Sequence, residues 1–393
     1  YYRRYEAGKE YDHLYRRQGS MTAPEELLLD LNELARGHDF FALGGWDVTP
    51  DGRLLAWTED TVSRRQYTIH VRDLATGERR AETIANCSGE VVWANDNRTF
   101  FYIEKDPVTL LGFRVRRHQL GSDPAADPVV WEEKDKSFYT GISKSKSGRF
   151  VRIDSQSTLA SEVRLLDADR PTEPFRLFLP RERDHEYAVE DLGDRFVVRT
   201  NWQAKNFRLM VAPAATTSDR ATWRDLAAHR DDIFIDDFEA FPGFVAIAER
   251  SMGLRRLRIL PLDGSGERYV ESDEPDSTAW LAYNAEQATT KLRYGFTSLR
   301  TPESTFEVDM QTGARVLLKQ QAVLGGFDAA LYATERLFLP ARDGTQVPVS
   351  LLYRKGFEAN GKAPVLIEAY GSYGYSSDPY FDSDVLSLVD RGF

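Results

Sequence analysis

A chain of 393 residues with 41% apolar content, 27 glycines and 17 prolines holds ample material for more than one core, which excludes disordered and collagen-like classes. Its 51 Lys and Arg against 62 Asp and Glu leave a formal charge of −11, the wrong sign for a nucleic-acid footprint and ordinary for solubility, although an acidic surface also favours cationic ligands. The single cysteine, Cys87, excludes an internal disulfide and fits a reducing, cytoplasmic setting, and no apolar run approaches the ~20 residues of a membrane helix.

The first residues, "YYRRYEAGKEYDHLYRRQ", carry no signal-peptide core and start inside a strand-like pattern, so the chain reads as truncated on this side. From here a repeat of pattern sets in. Turn sequences recur at Gly8, Asp51, Asp96, Ser147, Gly193, Pro242 and Glu286, spaced by 43, 45, 51, 46, 49 and 44 residues. Each is followed by an apolar or β-branched run, among them "RLLAW", "RTFFYI", "RFVVRT" and "KLRYGF". A second strand follows each, as in "YTIHVRDL", "FRVRRHQL" and "TFEVDM". Period-two alternation between Gly, Asp and Asn punctuation marks strands and hairpins. A period of about 45 residues with about four strands per unit is that of a β-propeller blade. Seven landmarks predict a mainly β chain with a seven-bladed propeller over residues 1–320. A tandem of β-sandwiches is the competing architecture, since no WD or Kelch signature is present. "PEELLLDLNELARG" (Pro24–Gly37) is ambiguous between a helix and the last strand of a blade.

The class changes after Gly325-Gly326. "ERLFLPARDGTQVPVSLLYRK" predicts a hairpin around Asp-Gly, and "PVLIEAYGSYGYSS" a strand buried on both faces, Val365–Ala369, running into a glycine-bearing loop. "DVLSLVDRGF" predicts an amphipathic helix. A hairpin, a buried strand with such a loop and a helix are how an α/β-hydrolase begins, with the loop contributing to an oxyanion hole. Residues 321–393 are therefore expected to form the incomplete N-terminal part of such a domain.

The propeller pattern leading into "ARDGTQVPVSLLYRK" and "PVLIEAYGSYG", together with "LLLDLNELARGHDFFALGG", "SRRQYTIHVRDLATGE", "VVWANDNRTFFYIEKD" and "LRYGFTSLRTPESTFEVDMQTG", resembles the prolyl oligopeptidase family of serine peptidases, in particular its oligopeptidase B (protease II) branch. The resemblance runs over essentially the whole chain. It implies a serine peptidase that cleaves short peptides after Lys or Arg, with the propeller capping the active site and excluding folded proteins. It implies that Tyr370 donates its hydroxyl to the oxyanion and that Tyr373 lies beside the substrate. The "YGSYG" loop differs from the "YGGF" of prolyl-specific relatives. No cofactor is implied. The expected partners are short basic peptides and the remaining hydrolase segments of the same protein, with no nucleic acid and no membrane.

The nucleophile and its helpers are not among these residues. No Gly-x-Ser-x-Gly elbow occurs, and all six histidines (His13, His38, His70, His118, His185, His229) precede Tyr370, whereas this fold places its triad in the order Ser, Asp, His. The 393 residues alone are thus expected to be inactive, and a propeller used purely as an interaction module is the alternative. Lesser candidates read as structural. His185 in "RERDHEYAVED" has no second His at ligand spacing and reads as part of a solvated charged loop; His38-Asp39 lacks a serine elbow. Arg64-Arg65 reads as pairing with acidic groups, and "EEKDK" (Glu132–Lys136) as a solvated loop. "RDDIFIDDFE" and "ESDEPDS" are acidic stretches able to attract cationic peptides. Gly44-Gly45 and Gly325-Gly326 lack the spacing of a nucleotide loop.

Overall fold

The computed structural model describes residues 1–393 and divides into two compact units, Tyr1–Ala188 and Val189–Phe393. In the first, β1 (Tyr2–Arg4), β2 (His13–Arg16) and β3 (Glu26–Asp30) pair into a three-stranded antiparallel sheet. The ambiguous segment is both things at once. After β3 comes a one-turn helix, α1 (Leu31–Leu34), whose first N–H groups, those of Asn32 and Glu33, are capped by the Asp30 carboxylate.

Next is a seven-stranded meander of β4 (Ala42–Val48), β5 (Leu54–Asp60), β6 (Tyr67–Asp73), β7 (Arg79–Trp93), β8 (Thr99–Lys105), β9 (Gly112–Gln119) and β10 (Val129–Glu132). Four four-stranded meanders follow. They comprise β11 (Tyr139–Lys144), β12 (Phe150–Gln156), β13 (Ser161–Asp167) and β14 (Arg176–Leu179), then β15 (Tyr187–Asp191), β16 (Arg195–Thr200), β17 (Arg208–Pro213) and β18 (Arg224–Ala227). The last two are β19 (Phe234–Phe241), β20 (Phe244–Ser251), β21 (Leu254–Pro261) and β22 (Arg268–Tyr269), and β23 (Ser277–Leu281), β24 (Lys291–Ser298), β25 (Ser304–Asp309) and β26 (Arg315–Gln320).

The count of seven blades is corrected. Five blade sheets of four or more strands are present, with a smaller sheet at the N-terminus. The physical reason lies in β7. Its 15 residues pair with β6 through Arg79–Cys87 and with β8 through Cys87–Trp93, so two sequence repeats share one continuous strand and merge into one sheet. The strand pairs themselves fall where alternation placed them, β5 with β6, β12 with β13 and β24 with β25 among them.

The apolar positions of these strands fill the cores. Trp57 and Leu55 pack with Leu14 and Phe41, and Trp93 packs edge-on against Phe100. In the second unit Leu292 and Tyr294 of β24 pack with Leu257 and Ile259 of β21. Side-chain caps close the turns: Asp73 accepts from the N–H groups of Ala75 and Thr76, and Asp309 from those of Gln311 and Thr312.

Past β26 the four-stranded pattern stops. β27 (Tyr332–Pro340) and β28 (Gln346–Arg354) form the expected hairpin around Asp343-Gly344, and α2 (Ser383–Val389) is the expected amphipathic helix, seating Leu386 and Val389 beside Tyr332. The buried strand at Val365–Ala369 is not formed. That segment has no ladder partner, and Val365, Leu366 and Ile367 are 74%, 57% and 84% exposed. Residues 321–393 thus hold one hairpin and one longer helix, without the buried strand.

Candidate functional site

The loop that carries Tyr370 and Tyr373 is shaped by three left-handed residues. Gly371, Tyr373 and Gly374 have φ of 69°, 51° and 68°, and Tyr375 N–H closes the turn on Ser372 O at 3.0 Å. Glycine takes this conformation freely; a tyrosine rarely does. The turn holds Tyr373 92% exposed. Tyr370 is also exposed, and its ring meets that of Tyr375 edge-on at 5.4 Å. The structure thus brings the two predicted tyrosines into one turn and presents both side chains to solvent.

What fixes this loop was not foreseen in the sequence. Arg250 of β20 makes a two-pronged pair with Asp378, at 2.5 and 3.0 Å, and also donates to Gly253 O. Hydrogen bonding to Asp378 raises the Arg250 pKa against the opposing cost of burial. Three residues further on, Phe381 N–H donates to Thr297 Oγ1 of β24.

The hairpin is clamped to the same sheets. Asp276, fully buried, accepts from Arg336 of β27 at 3.2 Å and from Ser350 of β28 at 2.9 Å. Burial pushes the Asp276 carboxyl up, and the Ser350 hydrogen bond and the Arg336 charge oppose that rise. Arg336 also reaches Met252 O at 2.9 Å. At the neighbouring Gly253, with φ of 79°, an added Cβ would stand 2.8 Å from Pro348 Cγ. Sequence offered no cue to these contacts, because the partners stand 60 to 128 residues apart.

The other candidates sort as follows. His185 is buried and stacked on Tyr187, not solvated. His38 and Asp39 are exposed. Arg64 and Arg65 make no ion pair; instead their backbone N–H groups bind the Asp60 carboxylate at 3.0 and 2.7 Å. Glu132 pairs with Arg114, while Glu133 is buried against Arg181, which Glu162 also holds, so that part of the "EEKDK" stretch is interior. The acidic stretches are consumed locally, Asp232 by Arg230, Asp236 by Arg255 and Glu274 by Arg300. Other histidines serve the sheets: His118 Nδ1 lies 3.0 Å from both oxygens of buried Asp127, which also accepts from Tyr102. No three His, Cys, Asp or Glu side chains converge on a common point. Chemically the tail loop offers an exposed phenolic donor on an anchored turn, with no nucleophile or base beside it.

Residues 1–321 match the family described as "Prolyl oligopeptidase, N-terminal beta-propeller domain". The chain belongs to the prolyl oligopeptidase family. Among relatives, it is 46% identical to "Dipeptidyl aminopeptidase BI" of Pseudoxanthomonas mexicana, over all of this chain and 56% of that protein. It is 32% identical to "Protease 2" of Moraxella lacunata, over all of this chain and 57% of that protein. Among solved structures, oligopeptidase B from Leishmania major superposes with a TM-score of 0.88 at 31% identity, covering 98% of this chain and 56% of that one. Oligopeptidase B from Trypanosoma brucei, closed and with covalently bound antipain, gives 0.90 at 30% identity, covering 100% and 57%. The chain therefore spans little more than half the length of the relatives it matches. No helix in it is long and apolar enough to cross a membrane.

Proposed function

We propose that this chain supplies the propeller (1–320) and the opening segment (321–393) of a serine oligopeptidase that hydrolyses short peptides after Lys or Arg, in the cytoplasm. The observation that carries it is the Tyr370–Gly374 turn, exposed yet tied to β20 through Arg250 and Asp378. A phenolic hydroxyl held on an anchored loop is the kind of donor that stabilises negative charge developing on a scissile carbonyl oxygen. Tyr373, one residue from the end of the turn, would contact the peptide. The attacking serine, the histidine that takes its proton and the aspartate that orients the histidine would come from further segments of the same protein. Without them the 393 residues would not turn over substrate, and the propeller would restrict access to short peptides.

A second reading, release of dipeptides from a free amino terminus, is favoured by the 46% identity to the dipeptidyl aminopeptidase, against 32% to the protease 2. Two fluorogenic amides separate the readings: a blocked Arg-Arg amide suits the endopeptidase, and a free-amine X-Arg amide suits the aminopeptidase. In the full-length protein, Tyr370→Phe is expected to lower turnover of the preferred amide by roughly 10- to 1000-fold with folding intact. Unchanged turnover would remove Tyr370 from the oxyanion site. Failure to cleave either amide would favour a propeller that serves only as an interaction module.

A further inference from the structure

In the first unit a cavity of about 590 Å³ lies against β4, β7 and β8, well away from the tail in sequence. One wall is bare backbone. A Cβ on Gly45 would stand 2.4 Å from Gly89 O, and one on Gly44 2.3 Å from Thr58 Oγ1, so only glycine fits where these strands cross. Trp46 and Tyr67 supply apolar surface.

None of the charged side chains lining the cavity makes a direct ion pair. The Asp60 carboxylate gathers the loop after β5 by accepting from the N–H groups of Val62, Arg64 and Arg65 at 2.9, 3.0 and 2.7 Å. That winding puts Arg65 at φ 53° and turns its carbonyl to the Lys105 ammonium, 2.6 Å away. Lys105 is 8% exposed, makes no ion pair and has used one of its three donors. Burial and the nearby Arg65 charge both lower its pKa, while Glu90 and Asp60 act on it only through space. The Arg65 guanidinium is exposed and likewise carries no carboxylate partner. Across the cavity Glu90 accepts from the Ser88 hydroxyl and is paired with no cation.

With Glu90 and Asp60 acting on it only from a distance, the nearly buried ammonium keeps donors free beside the Arg65 guanidinium, and an anion in direct contact would satisfy both. A lone carboxylate on the same cavity disfavours a multiply charged anion and suits an ammonium instead. We propose that this cavity binds the carboxyl terminus of a short peptide, Arg65 and Lys105 holding the carboxylate and Glu90 the ammonium end. The bidentate fork of arginine matches a carboxylate, and the buried lysine adds a second charge-assisted bond. Such binding stands apart from hydrolysis, so the chain could fail as a peptidase component and still bind, or the reverse.

Calorimetric titration of the 393-residue chain with Ala-Phe, Ala-Phe amide and inorganic phosphate tests it. Ala-Phe is expected to bind, with the amide at least roughly tenfold weaker and Arg65→Ala weakening Ala-Phe by a similar factor. Because Arg65 is exposed, the Arg65→Ala protein should melt like the parent, which separates lost binding from lost folding. Glu90→Gln should weaken Ala-Phe but leave its N-acetyl form unchanged. Equal affinity for acid and amide, no effect of Arg65→Ala, tighter binding of phosphate than of peptide, or no heat at about 10 mM Ala-Phe would each overturn the proposal.

Discussion

Within the second unit, β24 and the segment Val365–Ala369 are both short runs of β-forming residues, and their fates differ. β24 has β23 on one side and β25 on the other, and Leu292 and Tyr294 are sealed beneath them. Val365–Ala369 has no neighbour on either side and leaves its apolar side chains in water. A strand is a property of its partners, because backbone donors and acceptors need a ladder and the faces need cover. The contrast extends to what secures each region. The sheets β19–β22 and β23–β26 share a large apolar cluster, whereas the tail rests on a few charged contacts and a small cluster of Tyr332, Leu386 and Val389.

If polar clamps hold the tail, removing one should cost more there than its area predicts. Asp276→Ala leaves the Arg336 guanidinium nearly buried without its partner, and is expected to lower stability by about 3–5 kcal/mol in urea unfolding. A loss below about 1 kcal/mol would mean that the hairpin does not depend on this clamp. A smaller effect separates backbone strain from contact. Gly253→Ala and Gly264→Ala both place alanine at positive φ, but only at Gly253 does the methyl meet Pro348 and Arg336. Gly253→Ala should therefore exceed Gly264→Ala by about 1–2 kcal/mol and selectively raise amide exchange in β27 and β28. Equal costs would show that the hairpin does not press on the turn between β20 and β21. The smallest effect tests whether the N-terminal sheet is secured in the polar manner of the tail. Hydrogen bonds from Tyr2, Arg4 and Arg17 lower the Glu25 pKa from the usual 4.5 to about 2. Its folded value lies below its unfolded one, so the stabilisation is complete above pH 4.5 and disappears as pH falls through about 2. Protection of the Tyr2–Arg4 amides, taken relative to their intrinsic exchange at each pH, should fall across that window, and unchanged protection would show that Glu25 does not hold β1.

Strand pairs were legible in the sequence because alternation and Asp or Gly turns are local. The family was legible because many segments recur in one order. Sheet boundaries were not. The turns at Asp51 and Asp96 mark two units by sequence, yet "RRAETIANCSGEVVW" carries the ladder from one to the next, with a register shift between Cys87 and Val91. Nor were buried charges legible: Glu133 and Arg181 are 48 residues apart and look solvated until folding brings them together. At the candidate site the turn could be read from its glycines. Its anchor, Arg250 to Asp378, could not.

The strand shared by two repeats also bears on modularity. In repeat proteins a unit can often be deleted or exchanged, since each meets its neighbours only across side-chain interfaces. Here a cut near Cys87 would sever hydrogen-bonded ladders to both β6 and β8. The segment from Ala42 to Glu132 should therefore unfold as one cooperative block. Recombination between homologues should succeed at the loops flanking that block and fail at its midpoint.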